Sequence, residues 1–120
     1  MNLSELLKKE EVRKTLPDKK QAEECLKMAR RDAGIAESLL GINFDGSFAF
    51  SYNSMLNSAR ALMFADGYAA VGENSHKAAV DYADVKIGAK YADIVKKFDD
   101  MRRKRHKVIY EKAGLTSSND

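Results

Sequence analysis

The sequence has few residues that cross-link or interrupt a chain. Cys25 is the only cysteine among 120 residues, which excludes an internal disulfide and a cysteine-based metal site. Pro17 is the only proline, and the glycines fall mainly between periodic apolar segments, as is typical of a helical chain. No stretch approaches the roughly 18 apolar residues of a membrane span, and the N-terminus lacks the apolar core of a signal peptide. These absences predict a soluble, cytoplasmic protein with no membrane partner.

Common nucleotide-binding loops and metal sites are also missing. The sequence contains neither the phosphate-binding pattern G-x-x-x-x-G-K-[ST] nor a dinucleotide-binding glycine fingerprint. Because there are only two histidines and one cysteine, we expect no dedicated metal site, and no cofactor is predicted. The 21 basic and 18 acidic residues leave a net charge of only +3, so the positions of the charges are more informative than their sum.

The composition that remains is globular and has helical periodicity. Hydrophobic residues make up 44% and charged residues 32% of a chain that fits one domain, residues 1–120. The first main helix is predicted to begin near Pro17 and Asp18 and to end at Gly41. Its apolar stripe, at spacings of three and four, consists of Ala22, Leu26, Ala29, Ala33, Ala36 and Leu40.

Three more helices are predicted after the first one. The second covers about residues 47–66, with Gly67 as its stop. The third begins near Ser75 and runs towards Ile87, where Gly88 breaks or kinks its path. The stripe of the second helix is Ala49, Tyr52, Leu56, Ala59 and Met63. The fourth helix contains Tyr91, Ile94, Val95, Phe98, Met101, Val108 and Ile109.

Together these segments predict an all-α, antiparallel four-helix bundle, because consecutive helices are joined by short loops. No segment alternates with a period of two, so no strand is predicted. Residues 1–15 leave room for a short extra N-terminal helix, with Ser4 as a candidate cap. The alanine-rich stripe of the first helix is expected to pack closely against the stripe of the second.

A basic run lies late in the fourth helix. It consists of Arg102, Arg103, Lys104, Arg105, His106 and Lys107, followed by Tyr110. One interpretation is a solvated face whose cations suit the negative end of the helix dipole. Two features favour a site instead: Arg105 continues the apolar stripe inward, and Arg102, His106 and Tyr110 share one flank. An inward arginine needs a carboxylate or phosphate partner, because an unpaired buried charge is costly.

Metal-free RNA cleavage uses residue types found in this run. A guanidinium group stabilises the charge of the pentavalent phosphorus, and an imidazole or phenol transfers a proton. A histidine with a near-neutral pKa does this well, whereas a tyrosine with a pKa of about 10 does it poorly. For His76, which follows the loop GYAAVGENS, the favoured interpretation is structural, an imidazole that caps or bonds the loop.

As a set, three segments resemble the HEPN family of helical domains. SYNSMLNSARALMFADGYAAVGENSHKAAVDYA is similar to the second helix, loop and start of the third helix in minimal HEPN proteins. ECLKMARRDAGIAESLL is similar to the first helix, and MRRKRHKVIYE to the final signature; the likeness covers about residues 18–112. The resemblance implies a homodimeric, HEPN-like bundle from a prokaryotic toxin–antitoxin or defence system, often encoded beside a minimal nucleotidyltransferase.

The family's ribonuclease motif is broken in this sequence. Active members have an arginine, a polar residue, three further residues and then a histidine. Arg105 and His106 match the first two positions, but Tyr110 occupies the histidine position, and starting at Arg102 leaves one residue too few before His106. The resemblance therefore predicts a degenerate member that binds RNA or nucleotide phosphate through Arg102, Arg103, Arg105 and His106.

Two alternatives remain open from the sequence. If the protein is an enzyme, the resemblance implies a metal-independent endoribonuclease with Arg105, His106 and Tyr110 as its catalytic residues. The other alternative is a non-catalytic interaction module, whose helical face docks a minimal nucleotidyltransferase or a second copy of itself. Relatives have another helix after the tyrosine, so the end at AGLTSSND implies a short bundle or a surface covered by a partner.

Overall fold

A computed structural model of the chain describes residues 2–106. These residues form four helices and two short strands, and 78% of them are helical. In chain order the elements are α1 (Leu3–Lys8), β1 (Val12–Lys14), α2 (Lys19–Leu39), α3 (Phe44–Asp66), β2 (Tyr68–Ala70) and α4 (Ser75–His106). The prediction of a mostly helical chain is confirmed, whereas the prediction that it has no strand is wrong. None of these helices is long and apolar enough to cross a membrane.

β1 and β2 form a small antiparallel sheet that the sequence pattern did not reveal. Val12 lies opposite Ala70, and the backbone N–H of Thr15 continues the ladder by donating to the carbonyl of Gly67 at 2.8 Å. Gly67 ends α3 with a φ of +84°, and a Cβ there would meet the Thr15 carbonyl at 2.8 Å. Each strand has only three residues, too few for an alternating pattern to be recognised.

Asparagine caps explain two helix starts that differ from the predictions. The Asn43 side chain accepts a hydrogen bond from the backbone of Gly46 at 2.9 Å, so α3 begins earlier than predicted. Asn2, rather than Ser4, caps the short helix α1. The start of α2 follows the prediction, since the Asp18 side chain accepts from its first turn.

Helix α4 folds back on itself at Tyr91, whose φ of −125° and ψ of 42° are not helical. A straight helix rises about 1.5 Å per residue, so His76 and Arg105 would lie roughly 43 Å apart. Instead, the His76 Nδ1 atom lies 2.9 Å from the Tyr52 hydroxyl oxygen, and the Arg105 guanidinium lies over the ring of the same tyrosine. The two ends of α4 are therefore close together.

We call residues 75–90 the first arm of α4 and residues 92–106 its second arm. The arms correspond to the predicted third and fourth helices, and α4 begins at Ser75 as expected. The break was expected at Gly88, but that residue stays helical. A Cβ at Gly88 would collide with the side chain of Asp84, one turn earlier in the same arm. The glycine therefore accommodates a close contact within the first arm, and the reversal follows it.

Helix α3 lies between α2 and the arms of α4. Apolar residues from α1, β1, α3 and both arms form the main core: Leu6, Val12, Phe48, Tyr52, Leu56, Ala59, Met63, Ala78, Ala79, Val80, Tyr82, Ala83, Val95, Phe98 and Met101. Towards α2, the Ser47 and Ser54 hydroxyls donate to main-chain carbonyls of that helix, both at 2.7 Å. The expected contact between the first two main helices is confirmed, but the apolar stripe of α3 belongs mainly to the core with α4.

The buried face of α2 also differs in part from its predicted stripe. Ala22, Ala29 and Ala36 are buried as expected, whereas Leu26 is 40% exposed. Cys25 and Asp32 are buried on this face of α2. Burial raises the pKa of the Cys25 thiol, as is typical of a packed cysteine side chain.

Candidate functional site

His76 and Tyr52 form a polar pair at the edge of the core. Besides their 2.9 Å contact, the two rings stack with centroids 5.7 Å apart and planes 21° apart. Tyr52 lies on α3 and is completely buried, and His76 lies in the first turn of α4. His76 was expected to make a structural contact with the preceding loop, and the hydrogen bond observed at its Nδ1 is instead to Tyr52 of α3. The pair links the middle of α3 to the start of α4.

The surroundings keep both rings uncharged. Burial raises the pKa of Tyr52 to about 12, although the charges of Arg105, Arg102 and Arg60 oppose the shift. Burial also lowers the pKa of His76, and the same three arginines lower it further. At neutral pH, Tyr52 is therefore a phenol and His76 a neutral imidazole.

These charge states favour one direction for the hydrogen bond between the rings. A buried hydroxyl requires an acceptor, and Nδ1 of a neutral imidazole is one when the proton resides on Nε2. If Tyr52 donates to Nδ1 of His76, both buried atoms are satisfied. His76 then has an Nε2–H donor directed away from Tyr52, which suits contact with an oxygen of a ligand.

Three arginines bring positive charge to this pair. Arg105, from the second arm of α4, has its guanidinium carbon 5.7 Å from the centre of the Tyr52 ring. Arg102 from the same arm and Arg60 from α3 are near enough for their charges to lower the pKa of His76. We call Tyr52, His76, Arg60, Arg102 and Arg105 the arginine cluster. It exists only because α4 folds back and brings its two ends together.

Asp99 organises the basic residues of the second arm. Its Oδ1 accepts from Nε of Arg102 at 3.0 Å, and its Oδ2 pairs with Nη2 of Arg103 at 2.8 Å. The Arg102 side chain is only 24% exposed, whereas that of Arg103 is 69% exposed. Asp99 therefore fixes the position of Arg102 within the cluster and leaves Arg103 on the surface.

The structure brings together some of the predicted site residues. Arg102 and Arg105 both belong to the arginine cluster, and Arg105 points inward as its position in the apolar stripe indicated. Arg103 binds Asp99 instead. Tyr110 and the side chain of His106 lie outside the described residues, so their predicted roles remain predictions.

Three members of the cluster were not predicted as site residues. Tyr52 and Arg60 lie within a helical stripe and its flank, and His76 was interpreted as a structural imidazole that caps or bonds the loop before α4. All three occur in the segment that carries the HEPN resemblance. Sequence spacing alone gives no indication that residues 24 positions apart form a hydrogen bond, since that contact depends on how α3 and α4 cross.

The chemistry of the cluster suits an oxyanion. Guanidinium groups bind phosphate through paired N–H donors, and a neutral imidazole adds a further donor or transfers a proton. Within residues 2–106, no three or more histidine, cysteine or acidic side chains are arranged to hold a metal ion. Comparisons with family models, curated proteins and solved structures found no match to this chain.

Proposed function

We propose that the protein binds the phosphate of RNA or of a nucleotide at the arginine cluster. The observation that carries this proposal is geometric: the Arg105 guanidinium lies over the ring of Tyr52, whose hydroxyl bonds to His76. Arg102 and Arg60 lie near enough for their charges to act on the same imidazole. Like charges held close together raise the free energy of the empty site, and an anion relieves that repulsion. Asp99 pairs with Arg102 of the cluster and with the exposed Arg103, which holds Arg102 in place.

We also propose that the protein is a cytoplasmic HEPN-type component of a prokaryotic toxin–antitoxin or defence system. Support comes from the order of the elements: the segments that carry the resemblance fall in turn on α2, on α3 with the start of α4, and on the end of α4. In addition, Arg102 and Arg105 come from the segment similar to the family's final signature. Because Tyr110 replaces the motif histidine, we expect slow cleavage of RNA or none.

A weak metal-independent endoribonuclease is a second candidate. The sequence assigned its chemistry to Arg105, His106 and Tyr110, with the tyrosine as a poor proton carrier. The observation in its favour is that His76 supplies a neutral imidazole beside Arg105 and Arg102. The arginines would stabilise the charge of the pentavalent phosphorus. His76 would accept the proton of the 2′-hydroxyl at Nε2 in its other tautomer, in which Nδ1–H donates to the Tyr52 hydroxyl oxygen, and water would protonate the leaving oxygen.

A non-catalytic interaction module is the candidate from another class. A groove of about 500 Å³ runs between α2 and α3, with Ala33, Leu40, Phe44 and Met55 among its lining residues. Leu40 is well exposed, and Ile42 in the adjoining turn is more so. Neighbouring exposed apolar side chains often mark a protein interface, so this surface favours a second copy of the chain or a minimal nucleotidyltransferase as partner.

Binding of single-stranded RNA and of a nucleotide at increasing salt tests the main proposal. We expect an affinity that falls steadily with salt, because phosphate contacts release counterions. Arg102→Ala should weaken binding at least tenfold with little loss of stability. Arg105→Ala should weaken binding similarly and also lower the melting temperature, because its guanidinium covers Tyr52.

Arg30→Ala, an exposed position on α2, is the matched control and should leave binding nearly unchanged. If the wild-type protein binds neither RNA nor nucleotide at low salt, the interaction module replaces the main proposal. Brisk cleavage of RNA without metal would instead show that the broken motif does not limit activity, and it would favour the endoribonuclease.

A further inference from the structure

A cavity of about 220 Å³ adjoins the arginine cluster. Its lining consists of Arg60, Met63, Phe64, Tyr68, Ala69, Ala70 and Ser75. Arg60 belongs to both features, since it lines the cavity and its charge lowers the pKa of His76. Ser75 directly precedes His76 in the first turn of α4. The cavity and the cluster are therefore neighbouring parts of one surface.

The walls of the cavity differ from the cluster in chemistry. Phe64 from α3 and Tyr68 from β2 are aromatic, and Met63 and two alanines complete an apolar lining. Walls of this kind bind flat, weakly polar rings by burial and stacking. A free phosphate gains nothing from them, so the cavity suits a different part of a ligand from the cluster.

The strand β2 adds hydrogen-bonding groups to the cavity. In an antiparallel ladder, alternate residues direct both backbone groups to the partner strand. Gly67 is one of these, because its carbonyl accepts from Thr15. The alternation then directs the N–H and C=O groups of Tyr68 and Ala70 to the edge that β1 does not use. Both residues line the cavity, so their backbone groups are the donors and acceptors that a heterocycle bound there would use.

The volume of the cavity limits what can enter it. Sites that enclose a whole drug-sized ligand usually measure about 300–1,000 Å³, so 220 Å³ accommodates one ring system but not a complete nucleotide. The remainder of a larger ligand would extend past Arg60 towards the other members of the arginine cluster. We infer that this cavity holds the base of a nucleotide whose phosphate lies in the arginine cluster. This inference rests on the proposed function and specifies its ligand.

Two ligands share this chemistry: a free mononucleotide and the terminal nucleotide of an RNA chain. Calorimetric titration of the full chain with inorganic phosphate, with AMP and with a 5′-phosphorylated RNA decamer compares them. We expect AMP to bind at least tenfold more tightly than phosphate, because only AMP fills the cavity. If the decamer displaces AMP at comparable affinity, the terminal nucleotide of RNA is a ligand, and if it does not, the ligand is a free nucleotide.

Variants that alter the cavity separate its contribution to the affinity for AMP from the contribution of the arginine cluster. Ala69→Leu should reduce AMP affinity at least tenfold, towards that of phosphate, and leave phosphate binding unchanged. Phe64→Leu is a second variant, which removes an aromatic wall and should weaken AMP binding severalfold. Ala33→Leu is the matched control, since it makes the same change at an exposed position lining the groove of α2.

The two proposals fail in different ways. If phosphate binds but AMP gains nothing over it, or if AMP affinity is unchanged in both cavity variants, the base site is wrong and the proposed function survives. If Arg60→Ala leaves the affinities for phosphate and AMP unchanged, or if neither ligand binds the wild-type protein, the phosphate site itself is wrong and the base site falls with it.

Discussion

The two buried faces of α3 differ in the kind of residue that they contain. Towards α4 the face is large and apolar, with Tyr52, Leu56 and Met63 in the core cluster. Towards α2 it consists of small polar residues, including Ser47 and Ser54. The first face is stabilised by the apolar surface that it removes from water, and the second by specific hydrogen bonds between closely packed helices. The arginine cluster lies on the first face, where both arms of α4 meet α3.

A buried carboxylate shows how specific the second face is. Asp32 of α2 is only 2% exposed and accepts a hydrogen bond from the Asn57 amide of α3 at 3.2 Å. Its other oxygen pairs with the neighbouring Arg31 at 3.0 Å. Only the Asn57 partner belongs to the other helix, so a shifted register would leave one oxygen of this buried carboxylate without its hydrogen bond. Helices α2 and α3 are therefore held in a fixed arrangement. Helix α4 packs on the other face of α3 and contributes His76, Arg102 and Arg105 to the arginine cluster.

The largest expected effect tests the apolar face. Leu56→Ala removes a buried side chain between α3 and α4 and should lower the free energy of unfolding by about 2–5 kcal/mol. Chemical denaturation followed by circular dichroism measures this loss. Leu26→Ala makes the same change at a position that is 40% exposed and should cost much less. Equal losses in the two variants would mean that the apolar face of α3 is not the core.

A smaller effect tests how closely α2 approaches α3. Ala29 is buried, and its carbonyl accepts the Ser54 hydroxyl at 2.7 Å, so Ala29→Leu should overpack the interface at a cost of about 1–3 kcal/mol. Ala59→Leu should lower the free energy of unfolding by a similar amount, because it would overpack the interface between α3 and α4. Denaturant midpoints of the two variants and of exposed Ala33→Leu provide the comparison. Unchanged midpoints for both buried variants would contradict the arrangement of α2, α3 and α4.

The sequence predicted the helical elements better than their contacts. Local signals such as the Asp18 cap and the Gly67 stop lie within one turn of the boundary that they determine. The polar face of α3 was missed because serine and asparagine do not count in an apolar stripe. The reversal at Tyr91 has no comparable signal, since neither glycine nor proline occupies that position.

The same reason explains which parts of the site were predicted. Arg102 and Arg105 were recognised because their neighbours in the basic run indicated a site and the apolar stripe indicated an inward side chain. His76 and Tyr52 were not, because they meet only after α3 and α4 have packed together. Local sequence patterns therefore predict two of the three arginines of the cluster, and only the fold brings Arg60, Tyr52 and His76 to them.

The pH dependence of stability follows from His76. Its pKa is lowered in the folded protein, mainly by burial, while the unfolded chain takes up the proton at the ordinary value of about 6.5. The unfolded state therefore binds more protons below that pH, and folding stability falls as the pH drops from about 7. A bound dianion acts in the opposite direction, because it favours the imidazolium. Anion binding should therefore tighten as the pH falls.

Sulfate titration of thermal unfolding, at pH 6 and at pH 8, tests most directly whether the arginine cluster binds an oxyanion. Sulfate keeps its two charges over this range, and at about five times its Kd it should stabilise the protein by about 1 kcal/mol. We predict a larger rise in Tm at pH 6 than at pH 8 for the wild-type protein, and equal rises at the two pH values for His76→Gln. A wild-type Tm that does not respond to sulfate, or a response with the same pH dependence in His76→Gln, would contradict the assignment of the anion to this cluster.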